Sequence, residues 1–313
     1  MNSDSPSIKS LLAELLEVIR CRAPEQEWLF NIFAQEAMVG RQWLDQEILG
    51  LSPGADILEV GAGLMILSCQ LVREGFRVTA LEPMGEGFSS FNELQKVIRE
   101  YAEQTGCMPR ILEFRAEDLS HQGMYDFAFS INVMEHVDDV AVTITNVIES
   151  LRPGRAYRFS CGNYKFPYEH HFGIPIIWNK AVTGKLFRRK IASATRVGDP
   201  AGLWRSLNWI SVPMLRWIAR DQGLSLAFGR SYFSTMLRRF VEDPYFSARR
   251  PRWMRFTVRL IMLSGFDLLL IRFPADYHPL IDCSITRKHP ADTRTTEKAG
   301  GRLSLLGAPK AHF

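Results

Sequence analysis

The chain has 313 residues, of which 46% are hydrophobic, 11% aromatic and 23% charged, a composition typical of a folded globular protein and not of a disordered or fibrous one. Its five cysteines form no CxxC pair and have no histidine at metal-binding spacing, which argues against a disulfide framework and a zinc site and favours a reducing cytoplasm. The net charge of +4 is uneven, because residues 185–259 contain sixteen Lys or Arg and four acids, so this segment carries +12 and the remainder −8.

The first fifty residues predict a helical cover. Apolar residues recur there at helical spacing, and the turn Ser52-Pro53-Gly54 closes the section. No charged stretch followed by an apolar run begins the chain, so we expect no secretory signal. The most apolar stretch, residues 260–271, contains Asp267 and is too short to span a bilayer.

From residue 51 onward, short apolar runs alternate with helical stretches. The predicted strands are residues 57–60, 77–81, 111–114, 127–131 and 156–161, and the predicted helices between them are residues 64–74, 86–103 and 137–151. This alternation predicts an α/β fold with a doubly wound, mostly parallel sheet and helices on both faces.

The alternation breaks after residue 162. A helix at residues 212–222 and strands at 224–228 and 280–286 resume it, which leaves basic, aromatic-rich insertions at about 163–205 and 231–279. Residues 291–313 are rich in Thr, Lys, Gly and Ala, and we expect a disordered tail there.

Two short motifs point to nucleotide binding. Gly61 and Gly63 lie where the first strand meets the first helix of the alternation, where glycine permits a tight turn and close approach of a nucleotide to the helix N-terminus. Glu82 ends the second strand, where its carboxylate can accept both ribose hydroxyls and would repel the 2′-phosphate of NADP. Either motif alone is compatible with a turn or strand end that binds nothing, but their combination favours a ligand.

Three later segments complete a family pattern, namely Arg115-Ala116-Glu117-Asp118-Leu119, Asn132-Val133-Met134-Glu135-His136-Val137 and Leu151-Arg152-Pro153-Gly154. With the two motifs above, their order and spacing resemble the class I S-adenosylmethionine-dependent methyltransferases, especially the quinone-biosynthesis O-methyltransferases. The resemblance is closest over residues 50–162. It implies a Rossmann-like seven-stranded sheet, one catalytic domain over residues 51–290 and S-adenosyl-L-methionine as cofactor. NAD-dependent dehydrogenases share the first turn and the acidic strand end, but not the later segments.

The resemblance also implies a role for each matching residue. The methionine part of the cofactor would lie against Glu59 and the backbone of Gly61, Ala62 and Gly63, the ribose against Glu82, the adenine amino group near Glu117 or Asp118, and the sulfonium end near Asn132 and Val133. Many members have a small residue where this chain has Met65, which we expect to alter helix packing or narrow the pocket.

Methyl transfer to oxygen needs a group that removes the acceptor's proton, and a neutral histidine is suited to that task. The candidates are His136, His170 and His171. For His136, which we place at the start of a helix, a capping or supporting role competes; the other two follow the fifth strand at the ligand-binding edge of the sheet. Asp138 and Asp139 are explained by helix capping, so we predict no metal. No Asn-Pro-Pro-Tyr motif follows the fourth strand, which disfavours methylation of adenine or glutamine amino groups.

Three interpretations of the basic segment remain. Its arginines could pair with the acidic remainder of the chain, bind an anionic membrane surface together with the interleaved aromatic residues, or bind nucleic acid, which is least favoured because no recognised module is present. Membrane attachment would make the protein peripheral and its acceptor amphiphilic.

We therefore expect methyl transfer to a hydroxyl of a small or lipid-like acceptor. The alternatives are a non-catalytic scaffold or regulator, or an enzyme that methylates nucleic acid or another anionic substrate. The oligomeric state stays open.

Overall fold

The computed structural model describes residues 7–83, 89–194, 199–248, 250 and 252–288. The expected tail at 291–313 and the predicted start of a helix at residue 86 lie outside these ranges, as do Arg196 and Arg249 of the basic segment.

Seven strands form the central sheet: β1 (Asp56–Val60), β2 (Arg77–Leu81), β3 (Arg110–Leu112), β4 (Phe127–Ile131), β5 (Ala156–Gly162), β8 (Leu224–Phe228) and β9 (Leu280–Arg287), with β6 (Tyr168–Glu169) and β7 (Ile174–Pro175) forming a separate hairpin. Their order in the sheet is β3-β2-β1-β4-β5-β9-β8. Strands β1 to β5 pair in parallel, and β9 runs antiparallel to both of its neighbours. The predicted mostly parallel, seven-stranded α/β fold is confirmed.

Helices cover both faces of this sheet, so the strands β1, β2 and β4 each bury four consecutive residues. The helices before β8 are α1 (Ile8–Arg22), α2 (Glu27–Trp43), α3 (Asp45–Leu49), α4 (Ile66–Arg73), α5 (Ser89–Thr105), α6 (Val140–Ser150), α7 (Lys180–Leu186), α8 (Arg188–Ala192), α9 (Pro200–Ser206) and α10 (Val212–Asp221). The helical stretch predicted at the N-terminus corresponds to α1, α2 and α3. Leu11, Leu15 and Ile19 of α1 are fully buried in one apolar cluster with residues of α2, α4 and α5.

Some predicted boundaries are wrong by a few residues. The third strand is Arg110–Leu112, and α4 begins at Ile66 because Met65 adopts a left-handed conformation, with φ of 58°. Helix α6 begins at Val140, since the side chain of Asp139 accepts hydrogen bonds from the N–H groups of residues 141 and 142. The predicted capping role of Asp139 is thereby confirmed, but His136 lies in the turn before the helix and not at its start.

The two insertions occupy different parts of the molecule. The segment between β5 and α10 packs at the carboxyl ends of β4 and β5: the N–H of Tyr164 donates to the carbonyl of Ile210 at 3.0 Å, and the amide of Asn208 donates to the carbonyl oxygens of Met134 and Val137 at 2.7 and 2.8 Å. The segment between β8 and β9 forms α11 (Ser231–Glu242), α12 (Pro244–Ala248), α13 (Arg252–Leu263) and α14 (Asp267–Leu270). Among the described helices, none has the length and apolar character needed to cross a membrane.

Candidate functional site

The turn between β1 and α4 needs glycine for both conformation and space. Gly61 and Gly63 have φ of 71° and 53°, in the left-handed region that glycine adopts without strain. A Cβ atom on Gly61 would lie 2.3 Å from Cγ2 of Val133, so no other side chain fits there. The N–H of Gly61 donates to the carbonyl of Leu81 at 2.7 Å, which holds the turn against the end of β2.

Two carboxylates lie beside this turn, those of Glu59 and Glu82. The Glu82 carboxylate accepts a hydrogen bond from the N–H of Gly63 at 2.8 Å, and burial raises the pKa of Glu82 above its ordinary value. Glu59 is buried and accepts a hydrogen bond from the hydroxyl of Ser68. Burial, with a smaller contribution from the charge of Glu82, raises the pKa of Glu59 to about 8. Both groups are acceptors in a partly dehydrated place, which suits a ligand that carries hydrogen-bond donors or positive charge.

The other residues predicted to contact a cofactor lie at the same edge of the sheet. Glu117 accepts hydrogen bonds from the N–H groups of Asp138 and Asp139 at 2.7 and 3.2 Å, so its carboxylate closes the loop before α6, whereas Asp118 is exposed. Asn132 is exposed and has φ of 56°, which places Val133 directly over Gly61. Asp138 also forms an ion pair with Arg115.

The three candidate catalytic histidines come together although the first and the second are 34 positions apart in the chain. The ring centroids of His170 and His171 are 4.0 Å apart, and those of His136 and His171 are 5.3 Å apart. They lie in the segments that follow β4 and β5; β4 is next to β1 in the sheet, and β5 is next to β4. The candidate site therefore combines the glycine turn after β1 with a histidine cluster that follows β4 and β5.

Glu169 holds one of these histidines in place. Its fully buried carboxylate lies 2.7 Å from Nδ1 of His171 and accepts hydrogen bonds from the N–H groups of His171 and Phe172 at 3.0 and 2.7 Å. Burial alone would raise the pKa of Glu169, but the hydrogen bond and charge of His171 outweigh it and lower this pKa. Since a carboxylate only accepts, Nδ1 of His171 carries a proton in this bond and Nε2 is the nitrogen left for other partners.

The environment of His136 and His170 favours neutral rings. Burial, with the charge of His171, lowers the pKa of His136 to about 3, and Nδ1 of His136 lies 3.0 Å from the hydroxyl of Ser206. Burial also places the pKa of His170 well below its ordinary value. The ring of His170 packs on Gly162, where an added Cβ would lie 2.6 Å from Cε1. Neutral imidazoles keep a lone pair that can accept a proton or bind a metal ion.

Glu135 completes the cluster and is the residue that sequence reasoning missed, together with Glu169. Its side chain is fully buried, and its Oε1 atom receives only a long contact of 3.5 Å from the N–H of Gly162. The Oε2 atom has no hydrogen-bond partner in the part of the chain that the structure describes, and burial raises the pKa of Glu135 to about 7. The available signal was an acid next to each candidate histidine, Glu135 before His136 and Glu169 before His170.

Comparison with known proteins gives three findings. A family model described as a methyltransferase domain matches residues 32–227. An uncharacterized protein of Mycobacterium tuberculosis is 40% identical over 289 residues, which cover 92% of this chain and 98% of that protein. A ubiquinone biosynthesis O-methyltransferase of Rickettsia canadensis is 28% identical over 98 residues, or 31% of this chain and 39% of that enzyme.

Among solved structures, phosphoethanolamine N-methyltransferase 2 of Haemonchus contortus, in complex with S-adenosyl-L-methionine, aligns with a TM-score of 0.46 and 12% identity, over 92% of this chain and 59% of that chain.

Proposed function

This chain belongs to the methyltransferase domain family, and on that basis we propose that it transfers a methyl group from S-adenosyl-L-methionine to a hydroxyl oxygen of a small or lipid-like acceptor. One observation carries the proposal: the glycine turn follows β1, Glu82 follows β2, and the histidine cluster follows β4 and β5, so all of them lie at the carboxyl edge of the sheet. An alkyl donor and an acceptor hydroxyl would meet between them.

The proposed cofactor contacts follow from the chemistry of each group. The ammonium group of the methionine part would bind Glu59, whose buried carboxylate has the hydroxyl of Ser68 as its neighbour. The two ribose hydroxyls would donate to Glu82, which the N–H of Gly63 orients. The backbone of Gly61, Ala62 and Gly63 would lie along the methionine part.

The remaining cofactor contacts fall on two loops. Adenine would bind at the turn containing Glu117 and Asp118, with Asp118 as acceptor of its amino group because the carboxylate of Glu117 already accepts two backbone bonds. The sulfonium end would lie near Asn132 and Val133, next to the glycine turn. Asn132 and Val133 follow β4, and His136 lies three residues further along the same loop.

We assign proton removal to His171, with His136 and His170 as its neighbours in the cluster. The hydrogen bond from Nδ1 of His171 to Glu169 fixes the ring and leaves Nε2 to accept a proton. In the transfer, the acceptor oxygen forms a bond to the methyl carbon as the carbon–sulfur bond breaks. The electron pair of that bond stays on sulfur, which becomes a neutral thioether, and the acceptor's proton moves to the imidazole.

A lipid-like acceptor is favoured by an exposed apolar face on α13. Trp253, Phe256, Leu260 and Leu263 recur along one side of this helix and are 63%, 64%, 50% and 85% exposed, and Arg252 and Arg259 are exposed on the same helix. Apolar residues with arginines beside them are typical of helices that lie in the surface of an anionic membrane. We propose peripheral attachment through this face, which we call the α13 face, and a reducing cytoplasmic setting that agrees with five free thiols.

The direct test follows a radioactive methyl group. Purified protein, cell-extract fractions and S-adenosyl-L-methionine tritiated in the methyl group are incubated together, and the product is extracted into organic solvent. We expect a labelled, extractable product whose label survives mild alkali, as an ether does and a methyl ester does not. The Glu82→Ala variant, treated in the same way, gives the amount of label extracted when cofactor binding is weakened.

Label in no fraction, from protein that binds the cofactor by calorimetry, would instead support a non-catalytic scaffold. Label confined to nucleic acid would contradict the small or lipid-like acceptor.

A further inference from the structure

The histidine cluster has the composition of a metal centre. One nitrogen from His170, one nitrogen from His171 and one carboxylate oxygen of Glu135 all lie within 4.8 Å of one another. Two imidazoles and a carboxylate are a ligand set that zinc accepts, with a fourth position left for water or substrate. We propose that Glu135, His170 and His171 bind one divalent first-row metal ion of the zinc type.

The state of Glu135 is the first independent support. This side chain has 0% exposure, and its Oε2 atom has no hydrogen-bond partner among the described residues. A buried, unpaired carboxylate oxygen destabilises the fold, because it has lost its water without gaining a partner, and such groups are normally paired or bound to a metal. A cation between Glu135 and the two imidazoles would supply the missing partner.

The orientation of His171 is the second support. A metal-ligating histidine almost always donates its other ring N–H to a carboxylate or carbonyl, which fixes the ring and makes the ligating nitrogen more basic. Glu169 provides that acceptor at 2.7 Å from Nδ1 and is itself held by two backbone N–H groups. The arrangement leaves Nε2 of His171 available for the ion.

The spacing of the three ligand atoms fits a zinc ion after a small movement of the side chains. Zinc bonds to nitrogen and oxygen of about 2.0–2.2 Å place tetrahedral ligand atoms about 3.4 Å apart, compared with separations of up to 4.8 Å here. The three side chains would therefore close toward the ion by about 1 Å. Imidazole donors favour zinc and its first-row neighbours over magnesium, which prefers oxygen ligands throughout.

The consequence for catalysis rests on the proposed function. A hydroxyl bound to the open position of the ion would lose its proton more readily, because a bound divalent cation lowers the pKa of a coordinated oxygen acid. His136 lies next to His171, with a ring-centroid distance of 5.3 Å, and is outside the ligand set.

The test measures metal binding without turnover. Tag-free protein is stripped with a chelator, titrated with zinc by competition with a chromophoric chelator, and examined with cobalt for visible absorption. We expect one zinc per chain, no measurable binding of magnesium, and a loss of zinc affinity of about 100-fold or more in Glu135→Gln and in His171→Ala. The control His121→Ala removes a histidine that pairs with Tyr125 outside the cluster, and should bind zinc as the unaltered protein does.

Binding of less than half an equivalent of zinc, or an unchanged affinity in Glu135→Gln with its fold intact by circular dichroism, would overturn the metal site. These readings are independent of the methyltransferase proposal. If the protein binds no zinc, the proposal of methyl transfer with His171 as base still stands. If the protein transfers no methyl group, the result of the zinc titration is unaffected.

Discussion

The carboxylates of Glu59 and Glu82, in the candidate cofactor site, contribute little to the stability of the protein without a ligand. Glu59 and Glu82 are carboxylates held out of water, and the pKa of each is raised by burial. Keeping two such groups close together disfavours ionisation of both in the absence of a ligand. Their arrangement is understandable as preparation for an ammonium group and two hydroxyls, which would each bring donors.

Glu82 offers the sharpest single-residue prediction. We expect Glu82→Ala to weaken S-adenosyl-L-methionine binding about 10- to 100-fold, because hydrogen bonds to a charged group contribute about 1.5–3 kcal/mol. Isothermal calorimetry measures this change. Glu113→Ala removes an exposed carboxylate just beyond β3 and serves as control. Equal affinities of the two variants would contradict the ribose assignment.

At the scale of elements, ion pairs tie the amino ends of neighbouring strands together. Asp56 at the start of β1 binds Arg77 at the start of β2 through two contacts of 2.7 and 2.8 Å, and Arg152 before β5 at 2.9 Å. The hydrogen bond from Arg77, with further contributions from Arg152, lowers the pKa of Asp56 from 3.8 to about 2. These contacts align the strands on the edge opposite the candidate site.

This cluster predicts how stability depends on pH. A carboxyl group whose pKa is lower in the folded state stabilises the fold above its unfolded pKa, and this contribution is lost as pH falls toward the folded value. For Asp56 the loss falls between pH 4 and 2, and we expect about 1–2 kcal/mol, a value reduced for the exposure of Arg77. Urea denaturation from pH 7 to 2 should show that Asp56→Asn is less stable than the unaltered protein at pH 7 and approaches it at pH 2.

The control for this measurement is Asp221→Asn, which changes an exposed acid at the end of α10. A constant difference between Asp56→Asn and the unaltered protein over the whole pH range would rule out the ion pairs as its source.

Elements also decide how the candidate site is closed. Asn208, in the loop before α10, donates to the carbonyl oxygens of Met134 and Val137, and its own N–H donates to the carbonyl of Glu135 at 2.9 Å. One side chain thus fixes the turn that carries Glu135 and His136. The amphipathic pattern of the helices contains no sign of this contact, because it joins residues more than seventy positions apart.

For the whole molecule, the uneven charge has a structural counterpart. Arg216 pairs with Asp276, and Arg239 is buried in a pair with Asp243, so part of the basic segment is used inside the fold. Arg252 and Arg259 are instead exposed beside the apolar residues of the α13 face. Internal pairing therefore accounts for Arg216 and Arg239, whereas the proposed membrane surface concerns Arg252 and Arg259.

The α13 face predicts binding to anionic vesicles. We expect the protein to sediment with vesicles of phosphatidylglycerol and phosphatidylcholine, with an affinity that falls as salt rises. The double variant Trp253→Ser, Phe256→Ser should bind at least about tenfold more weakly, since each apolar side chain contributes about 1.5–3 kcal/mol when buried.

Trp217→Ser is the matched control, because Trp217 is 62% exposed but lies on α10, outside the α13 face. Failure to sediment at low salt would reject the membrane surface. Equal losses in the control and the double variant would reject the α13 face as its location.

The sequence by itself determined the order of strands and helices, because hydrophobic periodicity and glycine turns are local signals that the fold has to obey. It also singled out the glycine turn, Glu82 and three histidines by type and position. Its errors concern the ends of elements, where a capping side chain overrides the apolar pattern. Asp139, for example, makes α6 begin at Val140, three residues later than the apolar pattern predicts.

Only the tertiary structure decided which of these residues meet. The parallel order of β1, β4 and β5 brings chain positions more than a hundred residues apart to one edge, and burial there turns Glu135 and Glu169 into partners of the histidines. Neither burial nor an unsatisfied carboxylate oxygen is encoded in local pattern, since both depend on what the rest of the chain packs around it. The same holds for the α13 face, because the sequence shows aromatic residues among arginines but not which of them the fold leaves exposed.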